Sequence, residues 1–159
     1  MSERSTLSSR DQLVWQVVTA IGLIFFLLGL LDAGLAWFPL HLGESEWEFG
    51  TTSQFFDTFP FLGLGISFLL AAAIARGRRW QARSLATMCI LVAVFMWLAL
   101  ALYATVLPVA FKGAPSPVIL TPMKKAAAKT ALQALLYPFS LLWLAGAGWR
   151  ASLRKRSGS

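Results

Sequence analysis

Residues 22–31, GLIFFLLGLL, determine the class of fold. Apart from two glycines every side chain is apolar, and none alternates with a polar one as it would in a membrane β-strand of about 10 residues. The apolar run extends outward to residues 13–38, which exceeds the roughly 20 residues that a helix needs to cross a bilayer. Because the backbone in lipid must satisfy its own hydrogen bonds, the stretch predicts a transmembrane α-helix.

Three further apolar runs follow the first, in a chain that is 57% hydrophobic and 13% charged. This composition is far more apolar than that of a soluble domain. We therefore predict an all-α polytopic membrane protein, a four-transmembrane-helix bundle that forms a single membrane domain over residues 1–159. The predicted spans are residues 13–38, 58–75, 84–107 and 130–149, with outer loops at 39–57 and 108–129 and a cytoplasmic turn at 76–83.

A cleaved signal peptide is the alternative for the first run, since Gly34 and Ala36 offer small residues near its end. The apolar run is longer than the core of about 7–15 residues that such signals carry. This length favours a retained membrane span.

The distribution of charge predicts the orientation. Ten of the fourteen lysines and arginines lie before span one, in the turn at 76–83 or after span four. The other side has four lysines and five of the seven acids, so the positive-inside rule places both termini in the cytoplasm. The net charge of +7 therefore reflects the orientation of the helices, and we predict no nucleic-acid partner. The predicted location is a bacterial inner (cytoplasmic) membrane.

The first outer loop contains the acidic stretch HLGESEWEFG, residues 41–50. In an extended strand its three glutamates would share one face, with Trp47 on the other. His41 and the glutamates could bind a divalent cation, but the chain has one histidine, and we predict no metal site. The favoured hypothesis is a docking surface for a protein partner, because aromatic side chains give contact area and acids give steering. Its residues are Glu44, Glu46, Trp47 and Glu48.

The rest of both outer loops is predicted to lie outside the spans. SQFFDT, residues 53–58, is expected to form a short interfacial helix, with Asp57 or Thr58 capping span two. Its phenylalanines and Phe59 would face the acyl boundary. The second loop contains four prolines and is expected to be extended, with helix four starting at Thr121 and Pro122.

Small residues recur at every fourth position of span two. Such a stripe lets another helix approach closely, and close packing drives helix association in lipid. The helix-packing residues predicted here are Gly63, Ser67, Ala71 and Ala75.

Polar residues recur at the same spacing along the fourth helix. Lys129, Gln133 and Tyr137 form a stripe that runs inward from the outer surface. Asp32, the one acid inside an apolar run, is predicted near the same depth with Lys129 as its partner. The four residues are either an ion pair with interhelical hydrogen bonds or a polar path for a transported ligand.

Motifs of catalysis and cofactor binding are not found in the sequence. Cys89 is the single cysteine, and there is no phosphate-binding glycine loop, nucleophile elbow or HExxH motif. We therefore predict no enzyme activity and no cofactor.

Residues 44–65, ESEWEFGTTSQFFDTFPFLGLG, resemble the first outer loop of small four-span bacterial membrane proteins, some of them grouped as HpsJ-like. The shared pattern is an acidic or polar residue, then Trp47, then a span opened by Pro60 and Gly63. The resemblance implies a bacterial four-span accessory protein and transfers no catalytic residue.

Two functional hypotheses follow. The first is a non-enzymatic accessory or scaffolding subunit, whose partner besides the lipid bilayer is a larger membrane protein or another copy of the chain. The alternative is a small transporter or channel protomer that uses the polar path from Asp32 and Lys129 to Tyr137.

Overall fold

Four long helices make up the structure, a computed structural model that describes residues 9–38, 41, 43–113 and 116–153, apart from the side chains of residues 45 and 46. The helices are α1 (Ser9–Ala36), α2 (Ser45–Ala75), α3 (Arg79–Gly113) and α4 (Pro117–Leu153). Each is long and apolar enough to cross a membrane, and the described residues contain no strand. The predicted all-α fold with four transmembrane helices is confirmed.

Successive helices are antiparallel, so the chain has two chemically different ends. The basic end holds the start of α1, the turn between α2 and α3, and the end of α4. The acidic end holds the connection between α1 and α2, with Glu44, Glu48 and Asp57. These two names are used below.

Helix α2 is the centre of the arrangement, because it packs against α1, α3 and α4. No Cα atom in the described part of α1 comes within 8 Å of α3 or α4. Accordingly, 11% of the spanning stretch of α1 is buried, compared with 44% for α2. The fold is therefore a three-helix core with α1 packed on one side of α2.

Glycines bring α1 and α2 into close contact. A Cβ atom on Gly65 of α2 would lie 2.5 Å from the backbone nitrogen of Phe26, and one on Gly29 of α1 would lie 2.8 Å from that of Leu62. Gly22 of α1 is equally close-packed, with 2.9 Å from its Cβ position to Cβ of Phe68. These separations leave no room for side chains, and such small-residue contacts are what bring helices together in lipid.

The interior of the three-helix core combines large and small side chains. Phe56, Ile66, Met96 and Leu141 are fully buried, as are the alanines of α3 and α4 that face them. The alanines let the helices approach, and the large side chains fill the space between them. Cys89 is buried in the same cluster and is a small packing residue there.

The predicted first outer loop is largely helical: residues 45–52 were not expected to be helical, and the short interfacial helix expected at 53–58 is part of α2. Helix α2 begins at Ser45 and continues through Pro60 without a break. Asp57 and Thr58 therefore do not cap a helix, and the Thr58 hydroxyl donates to the carbonyl of Phe55 at 2.8 Å. The three phenylalanines expected at the acyl boundary are instead core residues: Phe55, Phe56 and Phe59.

The second outer loop was also predicted wrongly as extended. Helix α3 continues to Gly113 through Pro108, and α4 begins at Pro117 and contains Pro122. The Thr121 hydroxyl donates to the carbonyl of Pro117 at 3.1 Å, so it does not cap the helix. A proline removes one amide donor, and neighbouring groups in a membrane helix compensate for that loss.

The turn at the basic end is shorter than the predicted residues 76–83. Gly77 has φ of 65°, a conformation that suits glycine, and the amide of Arg78 donates to the carbonyl of Ala73 at 2.9 Å. This is the Schellman arrangement, in which backbone amides satisfy the last carbonyls of a helix. Helix α3 then begins at once with Arg79.

Candidate functional site

An ion pair and a hydrogen bond join α2 to α4 at the acidic end, and a further hydrogen bond within α4 extends the network. The Lys129 ammonium lies 2.7 Å from Oδ1 of Asp57. The Gln133 side-chain amide donates to the same Asp57 oxygen at 3.0 Å and to the hydroxyl of Tyr137 at 3.3 Å. The ring of Tyr137 stacks on Phe59, with 4.1 Å between ring centroids. Three of the four residues in the predicted polar path therefore do come together.

A second hydrogen-bond network is more buried inside the protein and involves three helices. The Thr130 hydroxyl of α4 donates to Oγ of Ser53 in α2 at 3.2 Å. Ser53 Oγ also lies 3.1 Å from the hydroxyl of Tyr103 in α3, and either group can be the donor. Thr130 and Tyr103 are almost fully buried. Hydrogen bonds of this kind fix how neighbouring helices are aligned along the membrane normal.

Asp32 is not the partner of Lys129, which is a correction to the predicted ion pair. It lies on α1, whose described backbone does not approach α4. Its side chain is exposed and lines a shallow cavity with Leu28, Leu35 and Phe61. Equal depth along the sequence suggested the pair, but depth does not specify which helices are neighbours. Asp57, placed in a loop by the sequence pattern, is the acid that α2 presents to α4.

The glutamate-rich segment is a helix start and not an extended strand. The backbone of residues 45–48 is helical and forms the first turn of α2, in place of the extended conformation on which the prediction depended. Glu44 precedes the helix and is exposed, while the Glu48 carboxylate accepts the amide of Gly43 at 2.9 Å. The side chain of Glu46 lies outside the described part of the chain. The prediction of an extended strand, from which the common face of the three glutamates followed, is therefore wrong.

Trp47 packs within the protein. Its ring meets Trp37 edge-on at the end of α1, with 6.4 Å between centroids, and lies 6.2 Å from the ring of His41. A cavity of about 200 Å³ opens beside it, lined by both tryptophans, Glu48 and Tyr103 among others. In the described residues no three His, Cys, Asp or Glu side chains form a group that could hold a metal ion.

The small-residue stripe of α2 does not make the close contacts within the chain. The three atoms nearest to a Cβ on Gly63 would all belong to the ring of Phe59 in its own helix, the first at 3.2 Å. Ala71 is exposed, and the other members of the stripe are half-buried. The Ser67 hydroxyl donates to the carbonyl of Gly63 at 2.7 Å. The stripe thus lies on the face of α2 between α1 and α4. The close helix contact that was predicted for the stripe is made within the molecule by Gly65.

Four residues of the two networks were not predicted as partners: Asp57, Ser53, Tyr103 and Thr130. Each is a polar side chain near the acidic end, but Asp57 and Ser53 lie in the segment predicted to be a short interfacial helix, separate from span two. A prediction that began α2 at Ser45 would have placed Asp57 and Ser53 at the same depth in the membrane as Lys129 and Thr130.

Exchanging the charges of Asp57 and Lys129 tests the ion pair. Both side chains are about half-exposed, so a single reversal, Lys129→Asp, is expected to lower the free energy of unfolding by no more than about 1 kcal/mol. The double variant Asp57→Lys with Lys129→Asp should recover most of that loss. Thermal midpoints of the four proteins in detergent form the double-mutant cycle. Strictly additive losses would show that the pair has no energetic role.

These features define the class: the chain is an integral, multi-pass α-helical membrane protein. Polar contacts join α2, α3 and α4 at the acidic end, and the Arg83 guanidinium of α3 donates to the Ser152 hydroxyl of α4 at the basic end, at 3.3 Å. Comparison with models of protein families, with curated proteins and with solved structures found no match. The resemblance to HpsJ-like proteins stays a prediction.

Proposed function

We propose that the protein is a non-enzymatic accessory or scaffolding subunit of a larger membrane complex. The observation that carries the proposal is the open face of α2 between α1 and α4. Its small residues line a surface that no helix of the described chain covers, since α1 and α4 do not approach each other. We call this surface the open face of α2; it comprises Pro60, Gly63, Leu64, Ser67 and Ala71.

The chemistry of the open face fits a helix of a partner membrane protein. Small side chains allow the backbone of another helix to come close, and close packing drives association in lipid. The one hydroxyl on the face, that of Ser67, is already bonded to the carbonyl of Gly63. The face therefore presents an apolar, shape-specific surface.

We also propose that the basic end faces the cytoplasm of a bacterial inner membrane. The asymmetry of lysine and arginine supports this orientation. The acidic end would then face outward, where Glu44, Glu46 and Glu48 remain candidates for steering a partner.

Leucine substitutions on the open face test the docking. Ser67→Leu and Ala71→Leu are expected to reduce association with the partner about tenfold while leaving the fold intact, because the added side chains block close approach. The measurement is the native mass of the tagged protein in mild detergent, with co-purifying proteins quantified by mass spectrometry. Ala101→Leu makes the same change at an exposed position of α3 and is the control.

The result separates the possible assemblies. A stoichiometric partner that is lost in both open-face variants and kept in the control supports the accessory role. A homo-oligomer with the same sensitivity would replace the larger partner by a second copy. A monomer with no partner would end the proposal.

A transporter or channel protomer is the second candidate. It is favoured by the grouping of Asp57, Lys129, Gln133 and Tyr137, and by a Gln133 side-chain oxygen that is buried with no hydrogen-bond partner. Flux of small ions and solutes into proteoliposomes should then fall in Lys129→Gln but not in Lys125→Gln. Against this candidate, the buried residues of α4 beyond Ser140 are small or apolar, beginning with Leu141 and Ala145.

A further inference from the structure

Two cavities meet at the basic end, between α1 and α3. The first, about 290 Å³, is lined by polar side chains of α1 and of the turn after α2, namely Gln12, Gln16, Arg76 and Arg78. The second, about 320 Å³, shares both arginines and continues along α2 toward the middle of the bundle. There its lining is mainly apolar and includes Leu23, Leu69, Ala72 and Leu85. Together they form a groove with a polar chamber at the membrane surface and an apolar channel below it.

Arg76 stands at the junction of the two cavities with an unused donor. One terminal nitrogen of its guanidinium, Nη2, is buried and has no hydrogen-bond partner. A buried donor of a charged group is costly to leave unpaired. The carbonyls of residues 72–74 near the end of α2 do not need it, because the amides of Arg76, Gly77 and Arg78 already satisfy them.

The surroundings of Arg76 favour an anion. Asp11 is the one described acid at the basic end, and it lines neither cavity. The first turn of α3 starts beside the groove and contains no acidic residue. The positive end of the α3 helix dipole adds a positive potential at the same place.

We propose that this groove binds an anionic phospholipid from the leaflet at the basic end. The phosphate accepts hydrogen bonds from the Arg76 guanidinium, with Gln12, Gln16 and Arg78 around the rest of the headgroup. An acyl chain lies along the apolar channel between α1 and α3. Arginine pairs with phosphate through two parallel hydrogen bonds, and basic pockets between membrane helices are typical headgroup sites.

The continuity of the groove distinguishes a lipid from a free phosphate. Soluble phosphate would fill the polar chamber and leave the apolar channel unused. Trp80, 80% exposed, lines the apolar cavity where it meets the arginines. Tryptophan is the residue that membrane proteins place at headgroup depth.

The test is lipid binding to the delipidated full chain in neutral detergent, counted by native mass spectrometry. Phosphatidylglycerol is expected to bind with a Kd about tenfold lower than phosphatidylcholine, and Arg76→Gln should raise that Kd about tenfold. Arg79→Gln removes the same charge from the neighbouring exposed residue, which lines neither cavity, and should change the Kd less than about twofold. Equal losses in both variants would mean nonspecific attraction and overturn the site.

A second pair of variants tests the apolar channel independently. Ser84 is exposed and lines the second cavity, whereas Thr87 is exposed on α3 outside it. Ser84→Trp should weaken phosphatidylglycerol binding, and Thr87→Trp should not. Inorganic phosphate at millimolar concentration should not displace the lipid; full displacement would identify a phosphate site without a lipid channel.

Thermal midpoints without lipid complete the experiment. Arg76→Gln removes an unpaired buried donor, so its midpoint in lipid-free detergent should equal or exceed that of the parent chain. Added phosphatidylglycerol should raise the midpoint of the parent but not of this variant. A lower lipid-free midpoint would mean that Arg76 is needed for folding itself, and the proposal would fail.

Discussion

Replacing Gly65 by leucine is expected to release α1 from α2 while α2, α3 and α4 stay packed. A Cβ at this position would lie 2.5 Å from the backbone nitrogen of Phe26 and 2.7 Å from its Cα. Backbone atoms cannot rotate away as a side chain can, so the two helices must separate. Overpacking of this kind costs about 1–3 kcal/mol, or more where the neighbours cannot yield.

Hydrogen exchange resolved by peptide measures this outcome in detergent. Amides of α1 and of the α1-facing half of α2 should exchange faster, while those of α3 and α4 keep their protection. Gly34→Leu is the control, because a Cβ on Gly34 has no neighbour within 4 Å. Faster exchange throughout all four helices would show that α1 is an integral part of the core after all.

Unlike Gly65→Leu, which should affect only the contact of α1 with α2, Ala93→Leu is expected to destabilise the three-helix core as a whole. Ala93 is completely buried in the cluster that α2, α3 and α4 share, together with Phe56, Met96 and Leu141. The extra methylene groups have no free space, and the expected loss is about 1–3 kcal/mol of unfolding free energy.

The midpoint of thermal unfolding, followed by near-ultraviolet circular dichroism of the aromatic side chains, measures the loss. Ala101→Leu repeats the change at an exposed position of the same helix and should leave the midpoint nearly unchanged. If Ala93→Leu unfolded at the same temperature as this control, the interior would be loosely packed.

The number of helices and their apolar character follow directly from the sequence, because four long, mainly apolar runs leave no other spanning structure. The helix ends do not follow from it. Glycine, proline and charge near residues 43–60 and 108–122 are ordinary loop signals, yet the structure continues the helices through most of them. Packing explains part of this: Phe49, Phe55 and Phe56 lie in this added stretch of α2 and are buried, and burial of such side chains stabilises the helix there.

The part of the candidate site that lies on α4 was predicted from the sequence, but its partner on α2 was not. The spacing of Lys129, Gln133 and Tyr137 along one helix indicates a common stripe, since four residues make about one turn. Their partner on another helix depends on which helices are neighbours, and no periodicity carries that information. Asp32 and Asp57 both lie near the acidic end. Because α1 packs on α2 and does not approach α4, Lys129 pairs with Asp57 and not with Asp32.

The position of α1 also has a consequence for biosynthesis. During translation a membrane helix can pack only against segments that have already left the ribosome. The contacts that α1 makes with other helices are all with α2, the next helix to be made, and α3 in turn meets α2 directly. Each newly inserted helix therefore finds a packing partner in the helix made just before it. Helix α4 then packs against α2 and α3 together, and the hydrogen bond from Thr130 to Ser53 can form only at this step, whereas Ser53 and Tyr103 lie on helices made earlier.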